Sequence, residues 1–203
     1  MNTQIARIQE NLKVLKLYKS HELIKSSMEE ASKNNLSYSD FLDQLLKQEV
    51  AAKREKNIAM RTSLAKFPFI KTLESFEFDF QPSIDKKRIK ELSTCRFIAN
   101  GENVIFLGPP GVGKTHLAVA LGIKAVTEGY RTYFTQAMPL IASLSKAYAG
   151  NRIEERLKFY CQPKILIIDE IGYIPIVVVK EKVPKMAKKM THPILGQNGR
   201  LIS

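Results

Sequence analysis

The octapeptide Gly108-Pro109-Pro110-Gly111-Val112-Gly113-Lys114-Thr115 fits G-x-x-x-x-G-K-[ST] at every fixed position. Its flanks are those such a loop needs. Residues 103–107 (Asn-Val-Ile-Phe-Leu) predict a short apolar strand, and residues 116–125 predict a buried helix. A Gly-rich turn from strand to helix lets several backbone N–H groups point at one anion. The helix N-terminus adds partial positive charge. In that setting Lys114 reaches the β- and γ-phosphates of a nucleotide, and the Thr115 hydroxyl holds Mg²⁺. A chance Gly-rich turn with a solvated lysine would not call for both flanks. His116 follows directly and has two readings, an approach to the nucleotide or a helix-face ring packed on a neighbour.

A second element lies about fifty residues on. Residues 164–168 (Lys-Ile-Leu-Ile-Ile) read as a strand buried on both faces of a parallel sheet, ending in Asp169 and Glu170. An Asp at the C-terminal end of such a strand belongs in the Mg²⁺ shell. Glu170 projects the other way and can polarise an attacking water as general base. Together the two elements point to ATP and Mg²⁺ as ligands, with Lys114 and Glu170 as the catalytic pair.

The chain has 203 residues, enough for one medium domain and a small one. It contains no run of eighteen apolar residues and no signal-peptide pattern at its start, so a cytoplasmic protein without a membrane partner is expected. Cys95 and Cys161 lack metal or redox spacing and read as reduced, half-buried thiols. Net charge is +12. Residues 1–70 hold twelve basic and eight acidic side chains, residues 71–176 fourteen and eleven, and residues 177–203 six and one. The excess suggests a nucleic-acid partner, but it is densest in the last segment.

The first 66 residues predict a helical domain. Ile5, Ile8, Leu12 and Leu15 recur at helical spacing, residues 21–32 suggest a second helix, and Ser37 with Asp40 forms a capping box. That box opens a long helix to about Leu64. Its later turns carry Lys47, Lys53, Arg54, Lys56, Arg61 and Lys66, which could follow a phosphate backbone or merely face solvent. Residues 67–100 form a connector. Phe76, Phe78 and Phe80 alternate with acids, implying an extended segment whose rings line an adenine pocket or cover the sheet edge. Residues 84–99 predict one helix. Beyond the loop come a strand at 130–134, helices at 139–149 and 152–160, and the acidic strand, the alternation of a parallel sheet flanked by helices. Tyr148, Arg152 and Arg156 in those helices suggest no chemistry.

With these motifs in hand, the chain resembles the IstB family, the ATP-binding helper proteins of bacterial insertion sequences, and more distantly DnaC and DnaA. The likeness is densest at residues 73–78 (Leu-Glu-Ser-Phe-Glu-Phe), 103–118 and 166–175, and runs from about residue 3 to Ile176. It implies an α/β fold of the P-loop NTPase, AAA+ type: a parallel sheet flanked by helices in residues 101–176, with a small all-helical N-terminal domain. It also implies assembly on double-stranded DNA as an ATP-dependent homo-oligomer that recruits or stimulates a transposase. Lys114, Thr115, Asp169 and Glu170 carry over position by position, within a nucleotide loop of Gly108, Pro109, Pro110, Gly111, Val112, Gly113, Lys114, Thr115 and His116.

After Ile176 the likeness stops, and residues 177–203 read as a divergent basic tail, as a truncation or frameshift would leave. The resemblance implies a sheet order 5-1-4-3-2, so the strand at 103–107 is expected to lack both neighbours and the core to be incomplete. Val177–Val179 could patch the sheet, though Pro184 limits that. Nucleotide binding is then expected to be impaired and hydrolysis very slow or absent. Two other functions stand beside the transposition helper: a helicase loader, and a non-enzymatic DNA- or partner-binding remnant.

Overall fold

A computed structural model describes residues 3–80, 82 and 84–170. The tail at 177–203, Val177–Val179 and the end of the run at 171–175 lie outside the described residues. Backbone contacts divide the chain into two compact units, residues 1–60 and 61–203.

The first unit is helical. Helix α1 (Thr3–Val14) packs on α2 (Tyr18–Lys33), and α3 (Tyr38–Leu64) follows. Ile5, Ile8 and Leu12 are half-buried, as their spacing implies, but Leu15 lies beyond the end of α1 and is exposed. The chain there leaves the helix through Lys16 at φ 56°, which takes Leu15 off the apolar face. At the start of α3 the Ser37 hydroxyl accepts the Asp40 N–H at 3.1 Å and donates to the Asp40 carboxylate at 2.6 Å. One orphan amide of the helix start is thereby satisfied. Ile24 and Leu45 are buried, and so is Glu49, whose carboxylate accepts the Ser20 N–H at 2.8 Å.

The second unit holds the end of α3, α4 (Lys86–Leu92), α5 (Arg96–Asn100), α6 (Lys114–Thr127), β1 (Thr132–Gln136), α7 (Ala137–Ala149), α8 (Ile153–Cys161) and β2 (Ile165–Asp169). Strands β1 and β2 pair in parallel, Thr132 opposite Ile165 through Gln136 opposite Asp169. Helix α6 buries Leu117, Val119, Ala120, Leu121, Ala125 and Val126. It approaches β2 at Gly122, where a Cβ would stand 2.7 Å from the Ile167 side chain and 2.8 Å from the Phe67 ring. The Phe134 N–H donates to Ala65 O at 2.7 Å, tying β1 to the turn after α3.

Four expectations are corrected. Residues 103–107 form no strand: an apolar run becomes one only with a ladder partner about 4.8 Å away, and no described segment supplies it. A cleft of about 290 Å³ lies between this stretch and β2. The connector is not extended but makes two 3₁₀ turns, Leu73–Ser75 and Phe78–Phe80. The Ser75 hydroxyl donates to Thr72 O at 2.8 Å and holds the first. The single helix at 84–99 is two, broken at Cys95, which adopts φ 60°. Its true start is set by Asp85, which caps the Lys87 and Arg88 amides. The two cysteines are not alike: Cys95 is buried and Cys161 exposed. Strand β2 is half-buried along its length rather than covered on both faces.

Candidate nucleotide site

Two ends meet at the site, the N-terminus of α6 and the C-terminus of β2. The loop turns into α6 through Gly113, at φ 87°. That conformation favours glycine, and space demands it as well. A Cβ on Gly113 would lie 2.6 Å from the Phe76 ring. Phe76 thus packs on the loop, not on a sheet edge, with its ring centroid 4.9 Å from Phe78 and 5.0 Å from His116.

His116 faces this connector. Its Nε2 lies 3.2 Å from Thr72 O and 3.3 Å from the Ser75 hydroxyl, and its ring meets Phe69 edge-on at 6.4 Å. The ring therefore fastens the 3₁₀ turn to the first turn of α6.

Thr115, one residue earlier, faces β2. Its hydroxyl is 3.0 and 3.1 Å from the two oxygens of Asp169. Residues 54 positions apart are thereby brought into direct contact, both half-buried. The Lys114 ammonium folds back and donates to Gly108 O at 2.9 Å and Pro109 O at 2.7 Å. Glu170 is exposed and leaves β2 at φ 61°, so the chain turns sharply at the second acid. Gly108, Pro109, Pro110 and Gly111 are exposed, and Val112 is half-buried. The structure gathers Lys114, Thr115 and Asp169, and sets Glu170 next to them in the chain. Phe76 as a direct contact of Gly113 was not legible from the alternation of rings.

The other singled-out side chains separate from this centre. Arg156 stacks on Phe159 and Tyr160, 4.7 and 4.9 Å from their centroids, and its Nε donates to the Ser143 hydroxyl at 2.5 Å. It braces α8 against α7. The basic run of α3 is partly engaged: Lys47 pairs with Asp43 at 2.5 Å, Lys53 with Glu49 at 3.8 Å, and Arg61 donates to Gly129 O. No helix among the described residues is long and apolar enough to cross a membrane.

Comparison with known proteins bears on the same residues. The profile of the IstB-like ATP binding protein family matches residues 10–184. The chain belongs to this family. A protein named for ATP binding in insertion sequence IS5376 of Geobacillus stearothermophilus is 46% identical over 146 residues, covering 72% of this chain and 58% of its own. One from IS21 of Pseudomonas aeruginosa is 47% identical over 152 residues, covering 75% and 57%. One from IS232 of Bacillus thuringiensis subsp. berliner is 39% identical over 176 residues, covering 87% and 70%. The chain thus spans little more than half the length of the first two relatives. An IstB-like, P-loop-bearing chain with a small parallel sheet among helices is what the sequence implied at the coarse level.

Proposed function

We propose that this IstB-like chain is an ATP-binding helper of insertion-sequence transposition, working in the cytoplasm on double-stranded DNA with a separate transposase. Its parts are a helical N-terminal domain at 1–66, a connector at 67–100 and a nucleotide-binding core at 101–176. The observation that carries the nucleotide half is the Thr115–Asp169 contact. A loop residue and a strand-end acid so far apart in sequence gain nothing obvious from meeting unless they share a ligand. Both offer hard oxygen donors, the chemistry Mg²⁺ takes, and an octahedral ion leaves its other positions to water and phosphate oxygens. Bound Mg-ATP would supply the triphosphate and its scissile β–γ bond.

Each residue then has a task. The loop amides at 108–113 receive phosphate oxygens, with the α6 N-terminus behind them. Lys114 exchanges its two carbonyl partners for phosphate oxygens. Asp169 orients the Thr115 hydroxyl. Glu170 accepts a hydrogen bond from a water aligned for attack and takes its proton. For the DNA, the support is the positive charge of the chain and the insertion-sequence setting of its relatives; Arg54, Lys56 and Lys66 are the basic side chains of the α3 run that remain exposed.

A thermal melt with and without Mg-ATP tests the first half, with Lys114→Ala as control. At ~100 times Kd, binding adds about 2.7 kcal/mol, or about 5–10 °C for a chain this size. The shift is expected in the wild type and not in the variant. No shift in either refutes nucleotide binding by this chain. DNA retention on a filter, repeated with and without Mg-ATP, tests the second half.

A further inference from the structure

Helix α3 carries a row of large apolar side chains that no described residue covers. Tyr38, Leu42, Leu46 and Val50 succeed one another at i+4 and are 95%, 52%, 43% and 65% exposed. The inward face of the helix is a different one, marked by Leu45 and Glu49 at 4% each. Beside the row, on its solvent side, Asp43 and Lys47 form an ion pair.

The two patterns share a centre. The row from Tyr38 to Val50 is centred on Gln44, and the Asp43–Lys47 pair on Leu45. A two-fold axis crossing the helix there brings Leu42 of one copy onto Leu46 of the other, and Tyr38 towards Val50. The same axis sets Asp43 opposite Lys47 on both sides. Parallel alignment would instead oppose Asp43 to Asp43 and Lys47 to Lys47, and like charges across an interface select against it. A contact that maps onto itself in this way is what a closed dimer requires. Rows at i+4 from two helices interdigitate at a crossing angle of about −50°. Contact then concentrates on Leu42 and Leu46, with Tyr38 and Val50 at the rim.

We propose that two copies of this chain pair antiparallel through α3, with Leu42 and Leu46 at the centre and Asp43–Lys47 pairs closing both edges. The pairing uses residues 38–50 alone and needs no nucleotide, so it stands or falls apart from the ATP site.

Sedimentation of the full chain without nucleotide, over a concentration series, tests it. A monomer–dimer equilibrium is expected. Leu46→Glu should weaken it by at least about tenfold, and Lys47→Asp should weaken it at low salt. Combining Asp43→Lys with Lys47→Asp should restore it, and that exposed swap keeps the test open if Leu46→Glu misfolds. Orientation is read in a Cys161→Ser background. Leu42→Cys mixed with Leu46→Cys should form a disulfide between chains far more readily than either alone, because bridged Cα atoms must lie within about 7 Å. A wild-type chain monomeric at its highest soluble concentration overturns the proposal. So does a dimer indifferent to Leu46→Glu and Lys47→Asp, or one in which Leu42→Cys alone links best. A monomer that Leu46→Glu destabilises also overturns it, since the row would then be covered within one chain.

Discussion

Residues 103–107 and 165–169 are two short apolar runs, each leading to one half of the nucleotide site. One is a loop segment and the other a strand. Ile165–Asp169 has β1 alongside it in parallel register and Gly122 of α6 close against Ile167. Residues 103–107 have no ladder partner among the described residues and border a cleft instead. Strand formation in a parallel sheet is a property of pairs. Hydrophobicity states only that a partner would be welcome.

The comparison can be broken most forcefully at β1. Phe134 is 7% exposed, and Phe134→Ala should cost about 3–5 kcal/mol by chemical denaturation. If β2 is a strand because of β1, its amides should then exchange as fast as those of 103–107. Retained protection in β2 would show that the pair is not what holds it.

A smaller effect separates the glycines near each run. Gly122→Val drives a branched side chain into Ile167 and Phe67 and should cost about 1–3 kcal/mol. Gly101→Ala, where no atom lies within 4 Å of the new Cβ, should cost about 1–2 kcal/mol, from its left-handed φ of 69° alone. A larger loss at Gly101 than at Gly122 would reverse the order of packing assigned to the two regions.

The smallest perturbation is chemical labelling. Burial pushes the Cys95 thiol above its usual pKa, so at neutral pH little thiolate is present, and reactivity rises only as pH climbs through that raised value. A disulfide reagent should modify exposed Cys161 first and Cys95 only on opening. Cys95 precedes 103–107 by eight residues. Its labelling rate, set against amide exchange in β2, measures whether the two regions open together. Equal rates would mean a single cooperative unit.

What could be read from the chain beforehand was local chemistry. Gly113, Lys114 and Thr115 announce a loop because each residue type is needed at its own position, and Ser37 with Asp40 announces a helix start for the same reason. What could not be read was decided by contacts distant in sequence. Phe76, Phe78 and Phe80 alternate as a strand would, yet Phe76 packs on Gly113, 37 residues away. Neither proline nor glycine marks the break at Cys95 between α4 and α5. The cap at Asp85 is a signal that careful reading would have found. The domain boundary expected at 66 and the roles of the site residues await the tests above.

The two carbonyls that hold Lys114 bear on the thermodynamics of ligand entry. Gly108 O and Pro109 O already give its ammonium two hydrogen bonds. A triphosphate arriving there enters by exchange, gaining contacts with the lysine only as these are given up. The lysine's own share of the binding heat should therefore be modest, and the measured enthalpy should come chiefly from the loop amides and the metal. Calorimetry at equal occupancy would then find Lys114→Ala weak in affinity but close to wild type in heat per mole bound.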